Sequence, residues 1–164
     1  MRRLVLGAAL AAIAGGAAAE VKVGMITTLS GGGAGLGVDI RDGFMLAIEQ
    51  SGRDDIEVVI EDDERDPATA VQISDRMIQS EGVDVMTGIV WSNLAMAVVP
   101  GAVAQGLFYL SPNAGPSQLA GAGCDPNYFN VAWQNDNLHE AAGAYANDTG
   151  YANSFILAPN YPAG

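Results

Sequence analysis

The sequence predicts an α/β protein built on a parallel β-sheet, and three observations carry that prediction. Short β-branched or apolar runs recur along the chain. Between them lie helix-length segments whose apolar residues fall on one face. Gly, Pro and Asn punctuate the boundaries. Strands alternating with helices at this spacing imply right-handed β-α-β units on one sheet.

The elements follow in order. Val21 to Thr27 reads as a buried strand, and Ser30 to Gly37 as a glycine-rich turn. Val38 to Gln50 places Ile40, Phe44, Ala47 and Ile48 on one helical face. Ile56 to Ile60 is a second strand. Asp66-Pro67 supplies an N-cap with proline at the first helical position, opening a helix through Ser80. Val71, Met77 and Ile78 belong to its apolar stripe, and Gly82 ends it. Val83 to Thr87 is a strand, Asn93 to Gln105 a helix and Leu107 to Leu110 a fourth strand. A Pro-, Gly-, Ser- and Asn-rich loop spans Ser111 to Asn127. Tyr128 to Val131 reads as a short strand, His139 to Asp148 as a helix and Ser154 to Ala158 as a last strand. Asn160 to Gly164 reads as a loop about to open another helix. A strand in last place would lack its crossover cover, so the natural protein is expected to be longer.

The first residues have their own logic. Arg2 and Arg3 precede an apolar core from Leu4 to Ile13, and Ala17-Ala18-Ala19 stands just before Glu20. This is the pattern of a secretory signal peptide over residues 1–19. The apolar run is short for a membrane span and lacks a stop-transfer flank. No cysteine follows it, so a lipobox is absent. The chain carries seven Lys and Arg against nineteen Asp and Glu. Without Arg2 and Arg3 the balance is five against nineteen, a net charge of −14. Such a chain repels nucleic acid and anionic lipid. Cys124 is the single cysteine and cannot form a disulfide within this chain. Export suggests either a buried thiol or a partner outside the chain.

In open α/β sheets ligands bind beyond the carboxyl ends of the strands. Four loops take that position: Thr28–Gly37, Asp62–Asp66, Trp91–Asn93 and Ser111–Pro116. Ser92 and Asn93 stand where a strand hands over to a helix, so free N–H groups, a hydroxyl and the helix dipole suit a carboxylate. On the sequence alone, simple capping of that helix is the favoured account. Trp91 and Tyr161 lie in loops facing such a cleft and are candidate ligand walls. The glycine-rich turn is no nucleotide loop. Gly31, Gly33 and Leu36 miss the third glycine of G-x-G-x-x-G, as do Gly33, Gly35 and Val38, and no lysine follows. Glu61-Asp62-Asp63-Glu64 and Asp66 do not match a calcium loop and read as a solvated strand end. His139 is the only histidine. With no G-x-S-x-G elbow, no His/Cys cluster and no base beside Cys124, neither an enzyme, a metal nor a cofactor is expected.

Several stretches in sequence carry a likeness: Val23-Gly24 through Leu29-Ser30-Gly31, Ala34-Gly35-Leu36-Gly37, Asp66-Pro67, Gly88-Ile89-Val90-Trp91-Ser92-Asn93 and Leu110-Ser111-Pro112-Asn113-Ala114. Together they resemble the branched-chain amino acid (leucine/isoleucine/valine) binding proteins, the type I periplasmic binding proteins of ABC importers. The likeness runs across residues 20–164. It implies two Rossmann-like lobes with parallel sheets that close on a ligand. Residues 20–134 would be an incomplete N-terminal lobe and 135–164 the start of the C-terminal lobe, with the crossover near Val131 to Asp136. By resemblance Ser92 binds the ligand carboxylate, with Asn93 and Asn113 nearby. Ala114 and Gly115 match an alanine–threonine pair that holds the carboxylate and amino group, and Tyr161 matches a lobe-two tyrosine. Two departures stand out. Leu36 replaces a tyrosine common in amino acid binders, and Gly115 lacks the threonine hydroxyl. Ser111 to Ser117, Trp133-Gln134-Asn135-Asp136 and Asn160 to Gly164 resemble a subgroup associated with aromatic carboxylates.

The expected function is therefore capture of a small carboxylate, a branched-chain amino acid or an aromatic acid, by a monomeric periplasmic protein that serves an ABC permease. A sensor domain of a receptor is the alternative. A secreted hydrolase fits worst, for want of a nucleophile–base pair.

Overall fold

In the computed structural model, which describes residues 21–163, five parallel strands form one sheet. The strands are β1 (Val21–Thr27), β2 (Ile56–Asp62), β3 (Val85–Thr87), β4 (Phe108–Ser111) and β5 (Tyr128–Asn130), in spatial order β2-β1-β3-β4-β5. The helices are α1 (Ala34–Ser51), α2 (Pro67–Arg76), α3 (Ser92–Ala104) and α4 (Asn135–Thr149). The signal-peptide reading of residues 1–19 lies outside the described residues.

The chain steps from β1 outward to β2, then back across β1 to β3. Right-handed crossovers in opposite directions put α1 on one face and α2 and α3 on the other. The main core fills the second face, where Ile26, Ile73, Met77, Met86, Leu94, Val98, Val99 and Tyr109 pack together. Period-two alternation turns Val23 and Met25 of β1 toward α1. Ile40, Phe44 and Ile48 of the expected stripe are half-buried there, while Ala47 stays exposed.

Several boundaries differ from expectation, each for a physical reason. α1 begins at Ala34 rather than Val38, taking in half of the glycine-rich turn. A Cβ on Gly37 would lie 2.0 Å from the Thr28 carbonyl oxygen. Close seating of the helix on the end of β1 thus requires a residue that sequence propensity counts against a helix. α2 runs into a π-helical turn, Met77–Glu81, before Gly82 ends it at φ 66°. α4 begins at Asn135 rather than His139, because the Gln134 side chain caps it by accepting the Asn137 N–H at 3.1 Å. Ser154 to Ala158 is not a strand: Phe155, Ile156 and Leu157 are 92%, 85% and 90% exposed. Apolar composition suits a strand, but among the described residues no other strand lies alongside to share its hydrogen bonds. Cys124 is exposed rather than buried.

The start of α2 follows expectation. Pro67 occupies the first turn and the Asp66 carboxylate accepts the Thr69 N–H at 2.8 Å. Asp66→Ala should lower the thermal midpoint by a few degrees, read by circular dichroism. An unchanged midpoint would mean that solvent replaces the cap without loss.

Candidate functional site

Parallel strands bring four loops to the carboxyl edge of the sheet, and two of them build a cavity with the chain beyond β5. Trp91 is extended and offers α3 no side-chain cap. The first backbone acceptance within α3's opening turn is Ala95 N–H to the Trp91 carbonyl at 3.0 Å. The amides of Ser92, Asn93 and Leu94 thus lack backbone acceptors among the described residues. Ser92 is buried, and its hydroxyl oxygen accepts from the Asn135 carboxamide at 3.0 Å. This bond joins the start of α3 to the start of α4.

The β4 loop completes that wall. Asn113 donates its side-chain N–H to the Val90 carbonyl at 2.8 Å. The Ala114 carbonyl accepts from the Ser111 hydroxyl and, at 3.3 Å, from the Tyr128 hydroxyl. Both acceptances tie it back toward the sheet. The Gly115 carbonyl accepts the Asn135 N–H at 2.8 Å. The cavity, of about 200 Å3, is lined on one side by Val90, Ser92, Asn113 and Ala114. Trp133, Asn135, Leu138, His139, Tyr161 and Ala163 line the other. Donors from a helix start, one hydroxyl, carboxamides and an aromatic wall suit a small planar or branched anion.

Of the expected site residues, the structure brings Ser92, Asn113, Ala114 and Tyr161 together. Asn93 is half-buried behind them and does not line the cavity. Leu36 lies on α1, 48% exposed and away from the cavity. Gly115 backs the wall, where a Cβ would meet the Trp133 carbonyl oxygen at 1.8 Å. Trp91 does not line this cavity. Its indole N–H donates to the Thr28 hydroxyl at 2.9 Å, and the Arg65 guanidinium carbon lies 4.0 Å from its ring centre. A Cβ on Gly33 would come within 2.4 Å of that ring. Trp133, Asn135, Leu138 and His139 were not expected as lining residues. The Trp133 to Asp136 phrase was the one available signal.

Asp62 and Asp63 part electrostatically at the end of β2. Burial opposes the charge on Asp62, but hydrogen bonds from Ser30 and from the Leu29 and Glu64 amides outweigh it and hold its pKa below the usual carboxylate range. Burial pushes Asp63 upward, against bonds from Thr28 and the Arg65 amide. Among the described residues no group of three His, Cys, Asp or Glu is placed to hold a metal ion. No described helix is long and apolar enough to cross a membrane.

A family profile described as periplasmic binding protein matches residues 20–164. Among solved structures, a solute-binding protein of an ABC transporter from R. palustris, in complex with benzoate, is 35% identical. That match covers 79% of this chain and 37% of the other, with a TM-score of 0.75. A solute-binding protein from Rhodopseudomonas palustris BisB5, in complex with 3,4-dihydroxybenzoic acid, is 24% identical, covering 88% of this chain and 40% of the other at TM-score 0.81. A leucine binding protein from Thermotoga maritima MSB8 is 22% identical, covering 79% and 37% at TM-score 0.71. The last two likenesses bear on the fold alone. The chain spans 37–40% of the length of these structures. No curated protein matches.

Proposed function

The chain belongs to the periplasmic binding protein family, and from that premise we propose that it captures a small carboxylate for an ABC importer in the periplasm. The observation that carries the reading is the buried Ser92 at the uncapped start of α3, opening on a cavity shared with Trp133 and Tyr161. The ligand carboxylate docks on the α3 amides and the Ser92 hydroxyl, and its body lies against Trp133, with Ala114 closing the floor. The binding step needs no bond-making, and an enzyme activity is not part of this reading.

The first lobe comprises residues 20–134, and the second begins with residues 135–164. What supports this boundary is that Asn135 is the only buried residue of α4. Closure brings Tyr161 and His139 toward Ser92, and a ligand that touches both sides favours the closed state by its differential affinity. The closed form then meets a membrane permease.

An aromatic acid is the favoured ligand class over an α-amino acid. Gly115 offers no hydroxyl for an ammonium group, and Trp133 supplies an aromatic wall to the cavity. Benzoate, 4-hydroxybenzoate, leucine and valine should be titrated into 15N-labelled protein. Benzoate-type acids should shift the Ser92 and Asn93 amides and the Trp133 indole. Shifts with leucine or valine alone would remove the aromatic reading, and no shift with any of them would remove the binding site.

A further inference from the structure

Asp63 is fully buried at the end of β2, and nothing in the carboxylate-docking reading uses it. Its Oδ1 accepts the Thr28 hydroxyl at 2.6 Å and the Arg65 N–H at 2.8 Å. The other oxygen, Oδ2, is buried without a partner. A buried carboxyl half satisfied in this way is costly to keep, and a surface strand end does not call for one. The loop that carries it is equally unusual, since Glu64 and Arg65 both adopt positive φ, 52° and 60°. Backbone held in that region by non-glycine residues persists where surrounding contacts impose it.

Those contacts lead to the ligand site. Thr28 receives the Trp91 indole N–H on the same hydroxyl whose proton it gives to Asp63. Arg65, whose amide Asp63 holds, lays its guanidinium over the Trp91 ring and donates to the Gly32 carbonyl at 3.3 Å. The indole is thus fixed at its edge and on its face by groups that converge on one carboxyl. Trp91 is also the residue immediately before α3, with Ser92 next in sequence. Asn135 holds Ser92 from the opposite side of the cavity. The start of α3 has no side-chain cap of its own, so the indole tether supplies the orientation that a cap would otherwise give.

We propose that Asp63 is a positioning residue for the ligand site, holding Trp91 through Thr28 and thereby aiming the Ser92 hydroxyl and the first amides of α3 into the cavity. The inference rests on the carboxylate-docking reading for its functional consequence, while its structural part stands without a ligand.

The test uses 15N-labelled full-length chain and the variants Asp63→Ala, Asp63→Asn, Thr28→Val and Thr28→Ser. The two indole N–H signals, of Trp91 and Trp133, are assigned with Trp133→Phe. Thr28→Val keeps the volume and removes only the hydroxyl, so it remains informative if Asp63→Ala fails to fold. Thr28→Val should move the Trp91 indole signal and the Ser92 and Asn93 amides, and weaken benzoate binding about tenfold, the size of one buried hydrogen bond. Thr28→Ser and Asp63→Asn, which retain the hydroxyl and the acceptor oxygen, should restore both. Unmoved Ser92 and Asn93 amides in Thr28→Val would overturn the inference whether or not a ligand binds. Moved amides with unchanged affinity would overturn its functional part. Failure of the parent chain to bind any acid would sink the proposed function instead and leave the amide result to decide the positioning.

Discussion

Gly115→Thr is expected to destabilise the protein by about 3 kcal/mol, at the upper end of what overpacking costs. A Cβ at this position would lie 1.8 Å from the Trp133 carbonyl oxygen and 2.7 Å from Asn130 Nδ2. Neither neighbour gives way easily. The Asn130 side chain donates to that same Trp133 carbonyl, and its Oδ1 accepts the Ala132 N–H at 3.0 Å. The Gly115 carbonyl in turn accepts the Asn135 N–H that starts α4. A side chain would push the whole Asn130 to Asn135 turn outward and break the bond between β4's loop and α4. Because the clash begins at Cβ, Gly115→Ala should cost nearly as much as Gly115→Thr. Urea unfolding of both variants against the parent checks this. Equal midpoints would mean the turn swings aside freely. The result also bears on ligand class. The resemblance assigns a threonine hydroxyl to this position, and here the Trp133 backbone occupies the space where it would stand.

That position illustrates what the sequence could convey. The inner strand β1 was legible because its apolar run is buried on both faces of a parallel sheet, and Asp66-Pro67 was legible because a cap acts on its own three neighbours. Ser92 was legible as a residue opening the helix that follows a strand. The packing of Trp91 was not, since its partners, Thr28, Gly33 and Arg65, come from two other loops. Asn135 and His139 were hidden because Asn135-Asp136-Asn137 reads as loop until Gln134 caps it. The pairing of Asn135 with Ser92, 43 residues apart in sequence, leaves no local signature. Phe155-Ile156-Leu157 shows the converse. Composition describes a side chain's preference for a strand, but pairing needs a neighbour.

Ser92→Asp should weaken binding of anionic ligands strongly while leaving the fold intact, and this separates docking from stability more cleanly than an alanine would. A carboxylate in the first turn of a helix meets free amides and the positive end of the dipole, which is favourable by about 0.3–1 kcal/mol. The Asn135 carboxamide that now donates to the Ser92 hydroxyl can donate to the aspartate instead, so its burial is compensated. Unfolding free energies should therefore stay within about 1 kcal/mol of the parent. For an incoming carboxylate the situation reverses. The variant's own oxygens occupy the amides, and like charges brought together in a partly desolvated cavity cost several kcal/mol. Affinity for benzoate-type acids should fall at least about a hundredfold, near 2.7 kcal/mol. Ser92→Asn, neutral and of similar size, should lose far less, because charge rather than bulk is the deciding term. Calorimetric titration of the three proteins measures both effects. Retained tight binding in Ser92→Asp would move the carboxylate away from α3, leaving Trp133 and Tyr161 to hold the ligand by some other part of its surface.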